Sequence, residues 1–102
     1  MISLHDARLA AAASGAPLFA AEGLRGTYAV SPDAYETPDV YVIVDGAREA
    51  VIDGLDEYHP MDKPLTVVVK ATGEVLYVPV LESGDLLDVA TDVHDPDPTP
   101  IP

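Results

Sequence analysis

The stretch Leu65 to Val80, LTVVVKATGEVLYVPV, constrains the fold more than any other. Leu65, Val67 and Val69 alternate with Thr66, Val68 and Lys70. Beyond a short turn, Val75, Tyr77 and Pro79 alternate with Leu76, Val78 and Val80. A period of two places alternate side chains on opposite faces of a strand, so the run predicts a β-hairpin. Gly73 is the turn residue best suited to positive φ. Pro79 cannot donate to a ladder, which predicts an edge or the end of a strand there.

The other elements are read around this hairpin. Ser3 is a good N-cap with Asp6 three residues on, so a helix is expected from Met1 to Gly15. Leu4, Ala7 and Ala11 form its inner stripe, Leu9 and Ala10 widen it, and Arg8 and Ser14 face water. Gly15 and Pro17 are its stop signals. Alanines bury little area, so this helix must lie close against a sheet. Thr27 to Val30 is a short strand, and Ser31 to Asp39, with two prolines, is a loop. Val40 to Val44 is a central strand. Asp45-Gly46 is a hairpin signal, and Ala47 to Ile52 is the returning strand. Leu55 to Pro64 is a connecting loop, and Ser83 to Thr91 gives one or two helical turns. Asp92 to Pro102 holds prolines at 96, 98, 100 and 102 and reads as an extended, frayed tail. These elements predict an α+β fold: an N-terminal helix on one mainly antiparallel sheet of four to five strands, a short C-terminal helical turn and an extended tail. The expected organisation is a single domain over residues 1–91 and an acidic, proline-rich tail over 92–102.

Composition narrows the function classes. The chain has 102 residues, enough for one small domain. Eighteen acids against five bases give a net charge of −13. Such a field repels nucleic acid and anionic membranes, so the expected partner is neither. There is no cysteine, which removes disulfides, thiolate metal sites and cysteine nucleophiles. That usage fits a cytoplasmic protein. Asp6 and Arg8 interrupt the first residues, which therefore do not read as a signal peptide. No window approaches the length of apolar chain that a membrane span needs.

Catalytic chemistry finds little support. His5, His59 and His94 share no helix or strand spacing with one another. The serines Ser3, Ser14, Ser31 and Ser83 have plainer roles as caps and loop residues. Asp92, His94, Asp95 and Asp97 offer oxygens and an imidazole, but the order D-x-H-D-x-D lacks the glycine and final glutamate of a calcium loop. No glycine-rich phosphate loop is present. The expectation is a non-enzymatic protein with no cofactor and no metal. A second acidic group, Asp53, Asp56, Glu57 and Asp62, lies between strands and is the candidate contact surface for a basic protein partner.

Two stretches carry a family likeness: the opening ISLHDARLAAA, and Pro64 to Val75, PLTVVVKATGEV, with its K-x-T-G-x-V hairpin. Together they resemble YrhB-like immunity-protein domains, small bacterial proteins with a leading helix and a following sheet. The resemblance implies a non-enzymatic partner-binding protein, often an antitoxin encoded beside its toxin, and supplies no catalytic residues; the acidic charge makes the expected partner basic. Two other readings stand beside it. One is a structural or assembly protein, from a phage or an oligomer, docking through its sheet edge and tail. The other is a small enzyme or metal-dependent binder using His94 and the tail acids.

Overall fold

The computed structural model describes residues 1–23, 25–55, 64–79 and 84–102. Helix α1 (Leu4–Ala21) is followed by strands β1 (Tyr28–Glu36) and β2 (Val40–Ala47), a single-turn helix α2 (Arg48–Val51), strands β3 (Leu65–Val69) and β4 (Val75–Val78), helix α3 (Gly84–Val89) and strand β5 (Thr91–His94). The strands form one sheet in the order β4-β3-β2-β1-β5, with antiparallel pairing at every interface. The α+β architecture with a helix on an antiparallel sheet is the one expected.

Helix α1 begins as its sequence dictates. The Ser3 hydroxyl accepts the Asp6 N–H at 3.1 Å, satisfying one of the donors left free in the first turn. Its end differs from expectation, because the helix runs through Gly15 and Pro17 to Ala21. Pro17 cannot donate to the Ala13 carbonyl, but both residues are exposed, so water can replace that bond. Gly15 is buried against the sheet. A Cβ there would meet the Tyr28 hydroxyl and would lie 2.8 Å from Asp45 Oδ2. Its role is close approach rather than termination.

The core follows from that approach. Leu4, Ala7, Ala11 and Ala12 pack on Tyr28, Val30, Ala34, Tyr41, Ile43 and Val68. Small helix residues face larger strand residues, which lets the helix and sheet pack closely. Phe19 adds an edge-to-face contact with Tyr28, centroids 5.7 Å apart. Val68 lies opposite Tyr41 on one side and Val75 on the other, which fixes the hairpin's apolar set toward the helix.

Three stretches depart from their sequence reading. Ser31 to Glu36 continues β1 instead of forming a loop. Pro32 is accommodated at a register shift between Val30 and Ala34, where the ladder is interrupted and no N–H is required. Asp45-Gly46 is not a turn: β2 passes through it, pairing Asp45 with Val30 and Gly46 with Ala29. The β1–β2 turn lies instead at Thr37 to Asp39, where the Thr37 hydroxyl accepts the N–H groups of Asp39 and Val40, both at 3.2 Å. Ala47 to Ile52 is accordingly the end of β2 and helix α2, not a strand. The stretch from Asp92 is not frayed. Residues Thr91–His94 pair with Glu36 to Asp33, and Ile101 bridges Val30 in both directions, at 2.7 and 3.1 Å. Prolines bar a helix there, but they leave enough donors for an outer strand.

The β3–β4 turn is as the pattern requires. Gly73 has φ +78°, and its N–H donates to the Val69 carbonyl at 2.7 Å. Valine is disfavoured at positive φ, so Gly73→Val should cost ~1 kcal/mol or more. A thermal melt should then fall by about 4–8 °C per kcal/mol for a domain of this size. An unchanged Tm would mean the turn is built otherwise.

Candidate functional site

The arrangement of charge is the feature that could carry function, and it begins inside. Position 8 falls between Leu4, Ala7, Ala11 and Ala12 on the buried stripe of α1, so Arg8 is carried into the interior and is fully buried. A buried guanidinium must fill its five N–H positions. Here Nε donates to the Ser31 carbonyl at 2.9 Å. One terminal nitrogen donates to Asp95 Oδ2 at 2.6 Å and, at a longer 3.4 Å, to the Asp97 carbonyl. The other donates to the carbonyls of Val30 at 3.2 Å and Thr99 at 2.8 Å. Arg8 therefore joins the irregular part of β1 to the C-terminal stretch. The expectation that Arg8 faces water is overturned, because the chain brings a carboxylate and four carbonyls to it.

Asp95 is the counterion. Its Oδ2 also faces His5 Nδ1 at 2.9 Å, and its Oδ1 accepts the Asp97 N–H at 3.0 Å. Burial alone would push this carboxyl up. The Asp97 N–H, the Arg8 guanidinium and His5 outweigh it and hold the value at about 2. Thr99 N–H in turn donates to Asp97 Oδ1 at 3.0 Å, so two successive aspartates each close a local turn. His94 Nδ1 lies 2.6 Å from Asp33 Oδ1, a second tie between β5 and β1.

A second polar group lies under Gly15. The buried Asp45 carboxylate accepts the Tyr28 hydroxyl at 2.6 Å and the Thr66 hydroxyl at 2.7 Å. Burial first, and the hydrogen bond to Asp45 second, raise the Tyr28 phenol well above its ordinary value. Ser14 Oγ and Tyr77 Oη meet at 2.6 Å on the same side of the sheet. Lys70 is the other buried base among the described residues. Its ammonium sits 4.7 Å from the Tyr41 ring centroid and 3.8 Å from the Glu36 carboxylate.

Asp53 is exposed just beyond α2. Asp56, Glu57 and Asp62 lie outside the described residues. The tail acids do not converge with His94 on one point: Asp95 is committed to Arg8 and His5, and His94 to Asp33. Among the described residues, no group of three His, Cys, Asp or Glu side chains is placed to hold a metal ion. His5 and His94 each face a carboxylate rather than a serine hydroxyl. Arg8 and Asp95 were missed as a pair, although a signal existed. Arg8 is four residues from Leu4 and three from Ala11, on the stripe itself.

No protein family, curated protein or solved structure matches the chain. The fold and its charges define a small acidic α+β protein in which two of the four described bases are buried. Among the described residues no helix is long and apolar enough to cross a membrane.

Proposed function

We propose that this chain is a non-enzymatic, acidic protein-binding module, an immunity- or antitoxin-like inhibitor of a basic partner protein in the cytoplasm. The observation behind this reading is the inward placement of positive charge. Of the four described basic residues, Arg8 and Lys70 are buried, which leaves Arg25 and Arg48 at the surface. Asp6, Asp39, Asp53, Glu74, Asp88 and Asp92 are all exposed. A surface of nearly one sign attracts a cationic partner at long range and repels nucleic acid. If the partner is a basic toxin that acts on nucleic acid, such a surface competes for the same basic site.

The test is co-expression with the product of the adjacent gene, scored for protection from toxicity and for a complex. The combined change of Asp53→Asn, Asp56→Asn, Glu57→Gln and Asp62→Asn should slow association roughly tenfold or more at low salt, with a smaller effect at high salt. An unchanged rate with the complex intact would move the interface away from these residues. Absence of any complex would remove the reading.

The sheet edge supports a second reading, an assembly protein. Strand β4 is outermost, Leu76 and Tyr77 are exposed on it, and no charge occurs from Val75 to Val80. An unprotected edge can accept another strand. A monomer by light scattering at high concentration would count against it.

A further inference from the structure

The chain contains two Asp-Gly bonds, Asp45-Gly46 and Asp53-Gly54, and no asparagine. An aspartate followed by glycine can rearrange its own backbone, because glycine has no side chain to hinder attack by its nitrogen. Whether it does so depends on three things: access of water, freedom of the carboxyl group, and freedom of the glycine nitrogen to approach it. The fold treats the two bonds in opposite ways.

Asp45 is buried, its carboxylate accepts two hydroxyls, and its residue is paired within β2. Asp53 is exposed, and among the described residues its carboxylate engages no hydrogen bond or ion pair. Gly54 has φ +76° and nothing within 4 Å of where a Cβ would stand. Its N–H donates to the Ala50 carbonyl at a long 3.2 Å, and the Leu55 N–H donates to the Glu49 carbonyl at 2.8 Å, at the end of a four-residue helix. A single helical turn is held by few bonds and opens readily.

We propose that Asp53-Gly54 is a site of spontaneous isoaspartate formation in the folded protein, and that Asp45-Gly46 is protected by the fold. The Gly54 nitrogen attacks Cγ of Asp53, forming a C–N bond, and one water molecule leaves with a carboxyl oxygen. The product is a five-membered succinimide. Water then adds back at one of its two carbonyls. Opening at the Cγ carbonyl restores aspartate. Opening at the main-chain carbonyl breaks the original peptide bond and leaves Gly54 joined through Cγ. The chain gains one backbone methylene, while mass and formal charge are unchanged, and no reagent other than water is needed.

This site goes beyond the binding function proposed above and does not depend on it. Should that reading hold, the rearrangement re-aims a carboxylate of the candidate surface without altering net charge.

The full-length chain, aged at neutral pH, should be digested and its isoaspartyl peptides located by electron-transfer fragmentation. Labelling with an isoaspartyl carboxyl methyltransferase and its methyl donor gives a second readout. Residue 45 reacts only through global opening, which slows it by about 1,000-fold or more in a domain of ordinary stability. The expected result is isoaspartate at 53 and none detected at 45, with comparable rates at the two sites once the chain is unfolded in urea. Asp53→Glu should abolish the product, because the ring would then need six members. Comparable rates at both sites in the folded chain, or no product at 53, would overturn the proposal. Both outcomes are independent of whether any partner binds.

Discussion

Asp95→Ala should be among the most destabilising single changes in this protein, costing about 3–5 kcal/mol. It removes the only carboxylate among the described partners of a fully buried arginine. Two effects add. The Arg8 guanidinium keeps its carbonyl partners but loses its counterion. The C-terminal stretch also loses the side chain that receives His5 and closes the turn to Asp97. Since the whole domain is worth about 5–15 kcal/mol, the variant should be marginal at ambient temperature. A urea melt measures the effect, and a loss under about 0.5 kcal/mol, the range of ordinary surface changes, would show that Arg8 does not depend on this carboxylate. The same contact has a pH signature. Asp95 is held at about 2 in the folded chain against an ordinary 3.8, so the unfolded chain binds more protons between those values. Its contribution is fully present above about pH 4 and is lost as the pH falls through about 2. Asp95→Ala should therefore flatten that part of the acid limb.

Gly15→Ala is the second large effect, and its sign is set by competing terms. In an exposed helix interior, alanine would gain about 1 kcal/mol over glycine. Here the added methyl meets the Tyr28 hydroxyl and comes within 2.8 Å of Asp45 Oδ2. Both belong to a buried hydrogen-bonded group, so neither can swing away without breaking or stretching those bonds. Overpacking of this kind costs about 1–3 kcal/mol, and disturbing the Asp45 bonds adds to it, so the clash wins. A chemical melt should show net destabilisation. A gain in stability would mean the helix stands farther from the sheet than described.

The sequence foretold the layers but not the devices that lock them. The hairpin at Leu65 and the cap at Ser3 were legible because each rests on local rules: alternation, a turn glycine, and a hydroxyl before the first helical turn. Gly15, Asp45-Gly46 and Pro32 were misread for one shared reason. Each carries a strong local signal for a break, and each is overridden by tertiary contacts. Gly15 serves close approach, Asp45 a buried hydroxyl pair, and Pro32 an irregular pairing whose carbonyl accepts the Asp95 N–H at 2.9 Å. The C-terminal stretch was the hardest to read, since its partner, Arg8, lies at the opposite end of the sequence. Residues Asp56, Glu57 and Asp62 of the candidate surface lie outside the described residues, so their part in binding rests on charge and position in the chain.

The pairing of Arg8 with the C-terminal stretch underlies both the inward placement of positive charge and the fifth strand. Amide hydrogen exchange of the full-length chain tests it most directly. The account predicts slow exchange at Asp95, whose N–H bonds Pro32, and at Ile101 and Val30, which bond each other. Protection there should approach that of the β2–β3 ladder and collapse in Asp95→Ala. Exchange at the free-peptide rate at Asp95 and Ile101, with the ladder still protected, would contradict it.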